Sequence, residues 1–210
     1  MTSSTSGRRR CFASVAVALL LLTGCATNTS TETVSALDTG ITSEAPSSTP
    51  TAPVSPHAPT ADSVPLSIEI PKSGTQSDLI SLGLRDDRTL EVPPDGPGAP
   101  AAWFNGSPTP GALGPAVIYG HVNATDGGPG VFADLRSLVK GDLIKVVRKD
   151  GTTVSFVADR GEQYSKAEFP TEKVYGNTEG AELRLITCDG YDPKTGEFDD
   201  NYVVYAKLVS

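Results

Sequence analysis

Cysteine, histidine and aromatic residues are scarce in these 210 residues: three Cys, two His, one Trp, six Phe and six Tyr. So few cysteines exclude a disulfide-built scaffold. Basic residues are also in the minority, 17 Lys+Arg against 25 Asp+Glu, for a net charge of -8. That balance leaves no positive footprint for non-specific nucleic-acid binding. No apolar run reaches the ~18 residues of a membrane-spanning helix; the only sizeable one, residues 13–22, falls well short. Arginine is absent after Arg184. What the chain has in quantity is Gly (21) and Pro (17), unevenly spread.

The first residues read as an address. Arg8, Arg9 and Arg10 form a positive region, residues 13–22 are apolar, and Leu22-Thr23-Gly24-Cys25 follows. This is the layout of a signal peptide. Leu-Thr-Gly-Cys resembles a bacterial lipobox, which implies removal of residues 1–24 and lipidation of Cys25; the other reading is an ordinary signal peptide that happens to contain that cysteine. Acyl chains at ~0.8 kcal/mol per buried methylene would hold the protein on a membrane without a spanning helix. The compartment implied is the outer face of the bacterial cytoplasmic membrane. Cys11 leaves with the signal, Cys25 carries lipid, and Cys188 remains as a single thiol with no partner for an internal disulfide. Residues 26–63 are more than half Ser, Thr or Pro, without Lys, Arg or an aromatic residue. Such a stretch buries too little apolar surface to offset its ordering entropy, so residues 25–63 read as a lipidated, disordered tether. His57 falls inside it and receives no chemical role.

The folded domain is expected over 64–210. Val64, Leu66, Ile68 and Ile70 alternate as a strand. Residues 89–92 read as a second short strand, 95–114 as a Gly/Pro-rich loop around Trp103, and 115–120 as a buried strand. Phe132, Leu135, Leu138 and Val139 have helical spacing, so a short helix is predicted over 131–139. Residues 143–147 and 153–158, joined through Asp150-Gly151, read as a hairpin. Strands at 183–188 and 202–209 complete an all-β barrel or sandwich.

Within the domain stand one histidine, His121, and one cysteine, Cys188. Each follows a strand and opens a polar loop, the usual station of a catalytic side chain on a rigid scaffold. A cysteine beside an imidazole is a competent nucleophile, since the imidazolium favours the thiolate and later supplies a proton. The competing reading is a buried thiol and an unrelated surface histidine. One His and one Cys are too few for a zinc site of ~four ligands. Asp126, Asp189, Asp192, Asp199 and Asp200 match no calcium-loop spacing and read as solvated loop charge. No metal and no cofactor is expected.

The segment 185–196, Leu-Ile-Thr-Cys-Asp-Gly-Tyr-Asp-Pro-Lys-Thr-Gly, resembles the Leu-x-Thr-Cys motif and following loop of sortases, and Tyr119-Gly120-His121 resembles their Gly-His. Val131-Phe132, 135–138 and Lys140-Gly141-Asp142 match the phenylalanine, short helix and Gly-Asp between those motifs. Leu90-Glu91-Val92-Pro93-Pro94, Phe169-Pro170-Thr171, Val174-Tyr175-Gly176 and the run 200–206 look most like class F sortases of actinobacteria. The resemblance implies an eight-stranded sortase-type β-barrel with one or two short helices. It also implies a cysteine transpeptidase: Cys188 attacks a Leu-Pro-x-Thr-Gly-like sorting signal, His121 protonates the leaving amine, and an amine on cell wall or pilin takes the acyl group. Hydrolysis only, or a catalytically idle peptide-binding lipoprotein, are the alternatives. Sortases place an arginine on the strand after the cysteine loop; here that position is Asn201. Arg184, on the same strand face as Ile186 and Cys188, is the other candidate for oxyanion or substrate binding, against a surface pairing with Glu182. Thr187 should face the opposite way and support the site.

Overall fold

A computed structural model describes residues 58–210. The signal peptide, Cys25 and the tether up to residue 57 lie outside the described residues. Eight strands close into a barrel: β1 (Pro65–Ile70), β2 (Thr75–Leu82), β3 (Ala101–Phe104), β4 (Gly114–Tyr119), β5 (Leu143–Arg148), β6 (Thr153–Ser165), β7 (Ala181–Asp192) and β8 (Glu197–Leu208). Their order around the barrel is β1-β2-β3-β4-β7-β8-β6-β5. Most neighbours run antiparallel, but β2–β3 and β4–β7 are parallel. Strand alternation sends one set of side chains inward and the other outward. Ile68, Ile118, Phe156, Leu183 and Leu185 fill the interior. Val117, Tyr119, Ile186, Val203 and Tyr205 form a second buried layer on the outside of β4, β7 and β8. The short helix α1 (Thr171–Tyr175) covers that layer through Val174.

The hairpin expected at Asp150-Gly151 is present, with Gly151 at φ 81°. Elsewhere the structure departs from the sequence expectations in instructive ways. Residues 131–139 contain only a 3-10 turn, Leu135–Ser137, although Phe132, Leu135 and Leu138 are buried as the spacing required. Residues 89–92 form no strand, only a single bridge between Leu84 and Leu90. Trp103 lies in β3, not in a loop. β2, with the sequence TQSDLISL, carries no clean alternation and was invisible to periodicity.

Contacts to the barrel also reach residues upstream of Val64. Arg148 is only 3 % exposed, and its Nη1 donates to Thr60 Oγ1 at 2.7 Å and to the Ala61 carbonyl at 2.9 Å. Thr60 N donates to Gly111 O at 2.7 Å. A buried guanidinium needs its donors satisfied, and this one recruits the Pro/Thr-rich segment before β1 to do so.

Candidate active site

β4 and β7 run parallel, with Tyr119 opposite Ile186. Gly120 N continues the ladder by donating to Ile186 O at 3.1 Å. His121 and Cys188 each lie two residues beyond that matched pair, so they stand side by side where the β4–β7 ladder stops. On the other flank of β7, Cys188 is paired directly with Asn201 of β8. Directly opposed residues in an antiparallel pair point to the same face with Cβ atoms ~4.5–5.5 Å apart. The outward face is theirs, since Ile186 and Val203, two residues away on each strand, belong to the outer layer. Three adjacent strands therefore present imidazole, thiol and amide in a row, and all three line one cleft of about 300 Å³.

Cys188 does not end its strand, as the sequence suggested. β7 continues to Asp192 and pairs with β8 through Asp189–Asp200, Tyr191–Phe198 and Asp192–Glu197. The segment read as a long loop is a hairpin extension, closed at 193–196 with Gly196 at φ 77°. The thiol thus sits mid-strand on a hydrogen-bonded ladder, which fixes its direction more tightly than a loop could.

His121 is held by its surroundings. Its Nε2 lies 3.0 Å from the Pro93 carbonyl. A carbonyl only accepts, so Nε2 carries the hydrogen in this arrangement and Nδ1 is free for the second proton. Its own carbonyl accepts from Phe132 N at 2.9 Å, and Val122 O accepts from Gly130 N at 2.9 Å. Gly130 is required for this return: a Cβ there would stand 2.7 Å from the His121 carbonyl carbon and 2.9 Å from Asn123 N.

The cleft walls are apolar. Leu90, Val92, Pro93, Ile186, Phe169 and Tyr175 supply the apolar lining. The aromatics are mutually packed: Phe104–Tyr175, Phe169–Tyr175 and Tyr164–Phe169 have ring centroids 6.4, 6.1 and 5.9 Å apart. In so aromatic-poor a chain their concentration here was a usable signal that the sequence reading did not exploit. Tyr119 donates its hydroxyl to Glu91 O at 2.8 Å; burial first, and the Glu91 charge second, push its pKa up to about 12. It is a neutral wall group, not an acid at neutral pH. Glu91 turns its carboxylate away, accepting from Gly83 N at 2.6 Å.

The remaining candidates separate. Arg184 shares the outer face with Cys188 but does not line the cleft. Its guanidinium pairs with Glu182 at 2.8 Å and stacks 4.5 Å over the Tyr205 ring. Being 3 % exposed, it is held within the outer layer, apart from the cleft that Cys188 and Asn201 line. Thr187 borders the cleft through the strand itself. Its flanking residues point outward, and its hydroxyl is buried without a hydrogen-bond partner. The acidic residues near the thiol are mostly engaged in fixing the chain. Asp126 Oδ1 accepts from Gly128 N at 2.9 Å and Asp192 Oδ1 from Lys194 N at 2.8 Å. Asp189 pairs with Arg136, and Asp200 accepts from Gln163. Arg136 was not anticipated; it comes from the turn after the His121 loop, lies 4.6 Å over the Tyr202 ring and reaches the residue next to Cys188.

The sortase domain model matches residues 68–209. No curated protein matches significantly. Among solved structures, the chain is similar to sortase A from Corynebacterium diphtheriae at TM-score 0.53 and 19 % identity, covering 72 % of this chain and 62 % of that one. Sortase C-1 from Actinomyces oris matches at TM-score 0.51 and 22 % identity, over 69 % and 73 % of the two chains. Sortase C2 of Group B Streptococcus Pilus Island 1 matches at 0.53 and 16 %, over 72 % and 76 %. At these identities the structures speak for the fold, the closed barrel described above. Family model, barrel and the neighbouring Gly-His and Thr-Cys segments agree: this chain belongs to the sortases, cysteine transpeptidases that cleave a sorting signal in a protein substrate.

Proposed function

We propose that the chain is a class F-like sortase acting on a Leu-Pro-x-Thr-Gly-like signal through a thioester on Cys188. The observation that carries this reading is the row His121–Cys188–Asn201 on β4, β7 and β8, in one apolar cleft. Cys188 as thiolate attacks the scissile carbonyl; the C–S bond forms, the peptide C–N bond breaks, and imidazolium His121 protonates the departing amine. Asn201 offers its amide N–H groups to the oxyanion or to the substrate backbone, in place of an arginine. Ile186, Val92 and Phe169 suit the Leu-Pro part of the signal. Thr187 supports β7 from behind. The motifs at 90–94 and 200–206 favour class F.

The lipobox-like Leu22-Thr23-Gly24-Cys25 supports an anchor on the outer face of the cytoplasmic membrane, with the Ser/Thr/Pro-rich segment as a spacer. The acceptor is an amine on cell wall or pilin. The test is cleavage of a sorting-signal peptide library by the full chain, with Cys188→Ala and His121→Ala beside it. Both variants should lose turnover by several orders of magnitude; undiminished cleavage by either removes that residue from the chemistry.

A further inference from the structure

Just past the thiol, the ladder between β7 and β8 carries two opposed acids. Asp189 stands directly across from Asp200, one step beyond Cys188 and Asn201. Alternation turns both carboxylates to the inward side, the side of Tyr202, which belongs to the core. Like charges directly opposed on a ladder are destabilising. The local backbone is nonetheless built around them. Gly190 N donates to Asp189 Oδ1 at 2.8 Å, and Gly190 itself, at φ 65°, has no room for a Cβ, which would stand 2.5 Å from Asp200 Oδ2.

The positive charge that answers them comes from elsewhere in the chain. Arg136 lies in the 3-10 turn of the connection that begins at His121, beside the buried Phe132 and Leu135. Its guanidinium rests 4.6 Å over the Tyr202 ring, pairs with Asp189 Oδ2 and donates to Gln163 Oε1. The Gln163 amide nitrogen donates in turn to Asp200 Oδ2. Asp189 Oδ2 is buried and accepts no hydrogen bond, so the guanidinium acts on it as a charge. A buried carboxylate oxygen without hydrogen bonds is costly unless a cation faces it. Among the described residues no other cation pairs with Asp189 or Asp200, and no other ion pair joins the connection after His121 to β7.

We propose that Arg136 is a positioning residue for the thiol. By neutralising the Asp189–Asp200 pair it keeps the β7–β8 ladder closed at Cys188, and it holds that point of β7 against the connection that begins at His121. The inference rests on the thioester reading above. Arg136 does not line the thiol cleft and acts from the opposite face of β7. Without it, repulsion across the ladder falls one residue from the Cys188–Asn201 pair. The strands splay there first, and thiol, imidazole and amide lose their common direction. Attack on a carbonyl tolerates little of this, since a misplacement of ~1 Å can cost ~10²-fold. Binding of the sorting signal rests on the apolar lining of the outer face, so the loss falls on kcat rather than KM.

A double-mutant cycle on the full chain tests this, read by steady-state cleavage of a Leu-Pro-x-Thr-Gly peptide and a thermal melt of each variant. Arg136→Met, which keeps an apolar stem over Tyr202, should lower kcat about 10- to 30-fold with KM within about threefold. Arg136→Lys, which keeps the charge, should stay within about threefold of wild type in kcat. Asp189→Asn alone should do the same. Added to Arg136→Met, it should restore kcat to that range, because the opposed charges are gone. Where Arg136→Met does not fold, Arg136→Gln is the neutral member of the cycle. An arginine needed only for folding would lower Tm, leave kcat well below Tm unchanged, and show no coupling to Asp189. A neutral variant at Arg136 with wild-type kcat, or a loss that Asp189→Asn does not repair, overturns the positioning role and leaves the thiol chemistry standing. Absence of any thioester on the wild-type chain overturns the reading beneath it instead.

Discussion

Asn201→Ala isolates the least orthodox part of the site. Asn201 stands directly across the ladder from Cys188, and its amide lines the same cleft as the thiol. Removing one oxyanion donor costs ~10²–10³ in kcat. The lower figure fits here, because the truncated residue leaves space for water to substitute in part. A hundredfold loss corresponds to about 2.7 kcal/mol of transition-state stabilisation. KM should change less than threefold, since the donor acts where charge develops. Asn201→Arg, whose longer side chain projects from the same face, should keep more than a tenth of wild-type kcat. Arg184→Ala is the control. It removes a buried ion pair and a ring contact 4.5 Å away, leaves Glu182 unanswered, and should lower Tm while kcat well below Tm stays within threefold. Steady-state cleavage of one peptide, with thermal melts of each variant, decides the matter. Asn201→Ala within threefold of wild type, or Arg184→Ala inactive while fully folded, refutes the assignment.

Other outcomes follow from the same geometry. Gly130→Ala forces a Cβ against the His121 backbone. Displacing the imidazole should cut kcat by about 10- to 100-fold with the barrel still folded, and circular dichroism beside the peptide assay checks it. Arg148→Met strips the donors from Thr60, Ala61 and Pro110. A loss of about 2–3 kcal/mol is expected, or about 5–10 °C in Tm, with residues 58–63 becoming cleavable by added protease. Glu162 is held down to about 2, first by Lys173 at 2.5 Å and then by Tyr164, against a weaker burial effect. A carboxylate with a depressed native pKa stabilises above its unfolded value near ~4.3 and loses that contribution as pH falls toward its native one. The Tm advantage of wild type over Glu162→Gln should therefore be level above about pH 5 and vanish toward pH 2. The pair is largely exposed, so the advantage should be no more than a few degrees.

The inward faces of β1, β4, β5, β6 and β7 were readable because each alternates against a single core or is apolar throughout. β2 escaped because Thr75, Ser77 and Leu79 share a face without a common polarity, and strand identity there comes from pairing with β1 and β3. β3 is four residues long amid Gly and Pro, and only its neighbours define it. The helical spacing at 132–139 identified the buried side chains correctly but not the backbone, which Asp134 enters without a side-chain cap and which closes after one 3-10 turn. At the site, His121 and Cys188 were legible as the domain's one imidazole and one thiol. Their adjacency was not, because it depends on the parallel β4–β7 register across more than sixty residues of intervening chain. Pro93 is the plainest omission: its contribution is a main-chain carbonyl, which no side-chain pattern can announce.

The proposed chemistry requires Cys188 to carry an acyl group in turnover. The direct measurement is intact-mass and peptide-mapping spectrometry of the full chain, quenched in acid during steady-state cleavage of a Leu-Pro-x-Thr-Gly peptide. The expected result is a mass increase equal to the amino-terminal peptide fragment less one water, mapped to Cys188, removed by hydroxylamine and absent in Cys188→Ala. Turnover at the wild-type rate with Cys188 unmodified, or an adduct on another residue, would contradict it.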